Sequence, residues 1–98
     1  MNIFDHLAPS SIGENIDTLL KHKNIKINRV VSSDNVEPIE YIQEEDEWLV
    51  LLEGEATLRI ENEEKKLSKG DTLFIPKEVP HNVLKTKAGT IWLTVHIF

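Results

Sequence analysis

The stretch Trp48-Leu49-Val50-Leu51-Leu52-Glu53-Gly54-Glu55-Ala56-Thr57-Leu58-Arg59-Ile60 decides the fold class of this chain. Trp48 to Leu52 is an unbroken apolar run, too short for a helix core and the right length for a strand covered on both faces. Gly54 interrupts it. Ala56, Leu58 and Ile60 then alternate with Thr57, Arg59 and Glu61, the period of two that places successive side chains on opposite faces of a sheet.

The same period continues outward in both directions. Asn62-Glu63 reads as a tight turn, Gly70-Asp71 opens a strand over Thr72 to Ile75, and Pro76 ends it. His81 to Leu84 and Ile91 to Ile97 follow, separated by a loop containing Gly89. Upstream, Ile25/Ile27 and Val30/Val31 begin a β segment; after Pro38, Ile39, Tyr41 and Gln43 share one face, with Glu40 and Ile42 on the other. About seven or eight short strands separated by turn signals predict an all-β sandwich or barrel. Before them, Ile12, Ile16, Leu19 and Leu20 form a stripe at helical spacing, Ser11 and Glu14 fit a capping box, and Lys21 and His22 suit a helix C-terminus. This predicts one helix over about residues 11–22, packed on the outside of a barrel spanning about 25–98, the whole of 1–98 being one domain.

Composition narrows the function. A chain of 98 residues supports one core and buries roughly 60–65% of its unfolded surface. With 11 Lys and Arg against 17 Asp and Glu, the net charge is −6 and the basic residues are scattered, which argues against nucleic acid and against an anionic membrane surface. No cysteine is present, so disulfides, thiol nucleophiles and Cys-ligated zinc are excluded. Neither a leader pattern nor an apolar run long enough to span a bilayer is visible, and a cytoplasmic protein is expected. No phosphate loop or dinucleotide fingerprint occurs, so no organic cofactor is implied.

The segment Asn35 to Lys85 resembles the cupin superfamily. The first motif of that family has the form G-x5-H-x-H-x3–4-E-x6-G; here Gly54, Glu47, Gln43, Tyr41 and Asn35 fall at its positions. The second, G-x5-P-x-G-x2-H-x3-N, is matched by Gly70, Pro76 and His81, with Glu78 in place of the second glycine and Lys85 in place of the asparagine. The run Asp46-Glu47-Trp48 to Gly54, with Tyr-x-Gln before it, resembles a subset of small bacterial cupins. The resemblance implies a double-stranded β-helix, or jelly-roll barrel, with a site at its open mouth. It also implies pairing of two chains through their sheets, so a homodimer is expected, and a core this small would gain from that burial.

In metal-dependent cupins the two histidines and glutamate of the first motif join the histidine of the second around one ion. Carried over, that set becomes Tyr41, Gln43, Glu47 and His81. His81 and Glu47 are good ligands, Gln43 offers a neutral carbonyl oxygen, and Tyr41 would ligate only as a phenolate. Such a mixed site suits Zn, Fe, Mn or Ni. His96 would add a second imidazole if Trp92, Thr94 and His96 face inward; if Ile91, Leu93, Val95 and Ile97 fill the barrel instead, His96 is exterior. Without a metal, His81, Glu47 and Tyr41 make a proton-transfer set.

Three functions follow: a divalent-metal cupin with a small-molecule ligand, a metal-free isomerase or epimerase, and a non-catalytic sensor or binding module. The acidic run Glu44-Glu45-Asp46-Glu47 is expected to be mainly a solvated loop. Trp48 and Trp92 are expected in packing or a dimer contact, and His6 and His22 on the surface.

Overall fold

The computed structural model describes residues 1–8 and 11–98. Among them run eight strands: β1 Glu14–His22, β2 Ile25–Ser32, β3 Asp46–Glu53, β4 Glu55–Ile60, β5 Glu63–Ser68, β6 Thr72–Ile75, β7 His81–Thr86 and β8 Thr90–Ile97. They form a five-stranded sheet in the order β1-β2-β8-β3-β6 and a three-stranded sheet in the order β5-β4-β7. Every pairing is antiparallel. The chain crosses between the sheets repeatedly, and the fold is the expected jelly roll.

The expected helix over 11–22 is absent; that segment contains β1, which pairs with β2 from Glu14↔Ser32 to His22↔Ile25 around the turn Lys23-Asn24. The apolar stripe misled because residues four apart share a face in a helix and also in a strand. Tertiary partners decide between the two. Asp17 meets the Arg29 guanidinium at 2.7 Å, and Glu14 accepts the Ser32 hydroxyl at 2.5 Å instead of capping a helix. A bulge between Thr18 and Leu20 then turns Ile16 and Leu20 to opposite faces. Both remain exposed, as befits an edge strand.

The core lies between the sheets: Leu49 and Leu51 of β3, Val30 of β2, Trp92 of β8 and Ile75 of β6 meet Ala56 and Leu58 of β4 and Leu67 of β5. The Trp92 indole donates to the Ser32 hydroxyl at 2.9 Å, so its one polar atom is satisfied inside the core. The apolar run of β3 is covered fully on one face only. Leu51 is wholly buried, whereas Trp48 points outward and is 38% exposed. Across the outer face, Phe74, Trp48, Val95, Ile27 and Leu20 fall in one register row spanning all five strands. Arg29, on the neighbouring row, binds the carbonyls of Ile3, Asp5 and His6 and ties the amino-terminal segment down.

Candidate active site at the barrel mouth

Sheet parity builds the site. On β8, Trp92 pairs with Leu51 and Val30, Thr94 with Leu49 and Asn28, and His96 with Glu47 and Lys26. Since Leu49, Leu51 and Val30 are core residues, Thr94 and His96 turn inward with Trp92. His96 therefore faces the barrel interior, and Leu93, Val95 and Ile97 face out. As the inner faces run from Leu51 and Trp92 toward the mouth, core side chains give way to Glu47, Thr94 and His96.

The opposite wall comes from β7 and the segment before β3. Tyr41 is held to the first residue of β7 by paired backbone bonds, Tyr41 N–H to His81 O at 2.7 Å and His81 N–H to Tyr41 O at 3.0 Å. The Glu78 amide fixes the Gln43 carbonyl at 2.6 Å. The expected strand around Ile39 to Gln43 is reduced to that single bridge, yet Tyr41 and Gln43 both point inward, as their shared parity requires.

These residues enclose a cavity of about 220 Å³, lined by Tyr41, Gln43, Glu47, His81 and His96 together with Thr94 and the apolar side chains beneath. All five predicted site residues are thus brought together. Glu47 and His81 are each 7% exposed, Tyr41 47%, so the tyrosine forms the rim and the other two lie within. The Tyr41 and His81 rings sit 6.1 Å apart between centroids. A larger open depression of about 720 Å³ lies elsewhere, lined by Lys66, Lys85 and Lys87 beside Asp34 and Glu55, and it holds none of the predicted residues.

The buried Glu47 and His81 and the partly buried Gln43 and His96 each have a polar partner in the protein, as burial demands. The Gln43 amide donates to Glu47 Oε1 at 3.0 Å. His81 Nδ1 lies 3.0 Å from the Val79 carbonyl. A carbonyl can only accept, so Nδ1 carries a hydrogen, and in the neutral ring Nε2 keeps its lone pair. His96 Nδ1 contacts Glu45 Oε2 at 3.0 Å, and Glu47 Oε1 lies 3.9 Å from the same atom. His96 Nε2 is 3.1 Å from Thr94 Oγ1.

Glu45 and Thr94 are the site residues that the sequence did not single out. The acidic run is not simply a solvated loop: Glu44 is exposed, but Glu45 binds His96, Asp46 accepts the Lys77 amide at 2.8 Å, and Glu47 is buried. Thr94 offered no sequence signal beyond sharing the parity of His96.

A metal cage is a separate question. Gln43, Glu47, His81 and His96 share the cavity, but among the described residues no three His, Asp or Glu side chains converge to hold an ion. His96 has both ring nitrogens engaged, one by Glu45 and one by Thr94. This arrangement does not fit the ion that the resemblance implied.

Comparison with known proteins agrees with the architecture. The family model described as the cupin domain matches residues 31–96, two thirds of the chain. A crystal structure from Ralstonia eutropha JMP134, provisionally assigned as a mannose-6-phosphate isomerase, is 29% identical with a TM-score of 0.92, covering 99% of this chain and 95% of that one. A conserved protein of unknown function from Streptococcus pyogenes is 18% identical, with a TM-score of 0.85 over 99% of this chain and 84% of that one. An RmlC-like cupin from Shewanella frigidimarina is 19% identical, with a TM-score of 0.79 over 87% and 76% of the two chains. No curated protein matches. Among the described residues no helix is long and apolar enough to cross a membrane.

Proposed function

This chain belongs to the cupin domain family, and we propose that its barrel mouth is a proton-transfer site for a small α-hydroxycarbonyl molecule, with His81 as the base. One observation carries the reading. Val79 holds the hydrogen on His81 Nδ1, which leaves the Nε2 lone pair without a protein partner among the described residues, on a ring that lines the cavity. A general base needs that arrangement: a fixed tautomer and a free lone pair at the substrate.

The size of the site limits the ligand. A volume of about 220 Å³ corresponds to roughly seven water volumes at about 30 Å³ each, below the 300–1,000 Å³ typical of drug-sized sites. Its ionisable lining among the described residues is Glu14, Tyr41, Glu47, His81 and His96, without lysine or arginine, which favours an uncharged ligand over a phosphorylated one inside the cavity. The provisional isomerase assignment of the Ralstonia protein supports the reaction class. Isomerising an α-hydroxycarbonyl moves one carbon-bound proton to the neighbouring carbon, and a neutral imidazole is a suitable carrier. Glu47, held by Gln43, places a negative charge on the facing wall, and Tyr41 offers a hydroxyl at the rim.

The test is deuterium uptake from D2O into dihydroxyacetone, D-mannose and D-fructose, followed by proton NMR with and without EDTA. Exchange above the buffer blank is expected, resistant to the chelator, and reduced about 10²-fold or more in His81→Ala. Failure of all three probes to exchange overturns the assignment. Exchange abolished by EDTA would replace it with a metal-dependent reaction.

A further inference from the structure

We propose that Glu45, His96 and Thr94 form a hydrogen-bonded proton relay that opens into the same cavity from the wall opposite His81, serving the oxygen-bound protons of the ligand. The inference rests on the preceding assignment for its substrate and on independent geometry for its existence.

The three side chains lie in series. Glu45 Oε2 is 3.0 Å from His96 Nδ1, and His96 Nε2 is 3.1 Å from Thr94 Oγ1. The Glu45 and His96 side chains are 15% and 13% exposed, and Thr94 is 6% exposed. His96 and Thr94 line the cavity, whereas Glu45 stands behind them. An ionised carboxylate accepts only, so Nδ1 donates to Glu45, and in the neutral ring Nε2 is left as an acceptor. The Thr94 hydroxyl then donates to Nε2, and its oxygen lone pairs remain available to a ligand in the cavity. The order carboxylate, imidazole, hydroxyl is the one by which a hydroxyl is made able to take up a proton.

The proton count closes at each step. A ligand hydroxyl gives its proton to Thr94 Oγ1 as the threonine's own hydrogen passes to His96 Nε2. The products are a ligand alkoxide and an imidazolium facing the Glu45 carboxylate. Glu47 Oε1, 3.9 Å from Nδ1, adds a second negative charge beside that imidazolium. Lys26, paired with His96 across β2 and β8, is the opposing positive charge on the neighbouring strand. Reversal of both transfers returns the proton to a different ligand oxygen and restores the resting state. No bond to carbon forms on the protein, and nothing is oxidised. His81 would then handle the carbon-bound proton while the relay handles the oxygen-bound one, the two duties that isomerisation of an α-hydroxycarbonyl requires.

The experiment has two readouts. The first uses the protein alone: ¹⁵N NMR of the imidazoles above their titration range is expected to show His96 as the Nδ1–H tautomer, and Glu45→Ala to shift it toward Nε2–H. A wild-type His96 in the Nε2–H form overturns the relay whatever the activity. The second is the dihydroxyacetone exchange assay. Thr94→Val is expected to slow it about 10²-fold and Thr94→Ser to restore most of the rate, with the His81 resonances unchanged as a check on folding. A Thr94→Val protein that exchanges at the wild-type rate overturns the relay. If the wild-type protein exchanges none of the probes, the functional assignment falls, and the relay is judged on the His96 tautomer alone.

Discussion

Substitution of Gly54 by alanine should destabilise the protein more than alanine at any other glycine, and the magnitude can be worked from the geometry. Gly54 has φ +97°, and a Cβ built there would sit 2.3 Å from Thr90 Oγ1, 2.8 Å from Thr90 Cα and 2.9 Å from Thr90 Cβ. The last two are far inside van der Waals contact, and one of them is backbone, so the neighbour cannot rotate away. Thr90 is wholly buried, and its hydroxyl lies 2.7 Å from the Lys87 carbonyl and 3.3 Å from the Glu55 amide. An alanine at 54 therefore incurs about 1–3 kcal/mol of backbone strain and about 1–3 kcal/mol of overpacking, roughly 2–6 kcal/mol together. Against a total stability of about 5–15 kcal/mol, this is a loss of about 10–45 °C in Tm at about 4–8 °C per kcal/mol. Gly89 supplies the control. It has φ +81° but open space around the position of a Cβ, so Gly89→Ala carries the backbone cost alone, about 1–2 kcal/mol. Urea unfolding followed by the fluorescence of Trp48 and buried Trp92 measures both. A difference between the two variants below about 0.5 kcal/mol would refute the claim that contact with Thr90, rather than the turn conformation, requires glycine at 54.

Two other perturbations follow from the outer face of the large sheet. Arg29→Met removes the bonds to the Ile3, Asp5 and His6 carbonyls and to Asp17, and should cost about 2–3 kcal/mol while amide exchange of residues 2–7 speeds up; unchanged protection there would show that the segment is held by something else. The apolar row Phe74, Trp48, Val95, Ile27 and Leu20 should pair with a second copy, so sedimentation at micromolar concentration should give a dimer, converted to monomer by Trp48→Glu; a wild-type monomer under those conditions refutes the pairing.

How much of this was legible in the sequence depended on whether local spacing was sufficient. Gly54, Gly70, Pro76 and His81 punctuate alternating strands, so their spacing carried the barrel and the position of His81. Tyr41 and Gln43 share a parity that survives even where the strand shrinks to one bridge. His96 could not be placed, because its direction depends on which strands β8 lies between, and that is set by pairing with β2 and β3 far away in sequence. The amino-terminal segment failed for a related reason. Ile16 and Leu20, four apart, fit a helix stripe, and only the hairpin with β2 and the contacts of Glu14 and Asp17 select the strand. Glu45 was hidden by its company: one of four consecutive acids reads as solvated until His96 is seen to face it.

The same parity explains why the site lies where it does. The inner rows of β3 and β8 begin as Leu51 and Trp92, continue through Leu49 and Thr94, and end in Glu47 and His96, so the cavity is the hydrophobic core continued in polar residues. Polar groups in such a place must be paired or they destabilise the fold, at about 1–3 kcal/mol for each unsatisfied group. Val79 pairs with one nitrogen of His81, Gln43 with one oxygen of Glu47, and Glu45 with one nitrogen of His96. The second nitrogen of His81 is left to the cavity, whereas that of His96 meets Thr94, which itself lines the cavity. Folding and function therefore make the same demand on these second residues, which is why removing Val79's carbonyl contact or Glu45 should alter the chemistry of an imidazole that neither of them replaces.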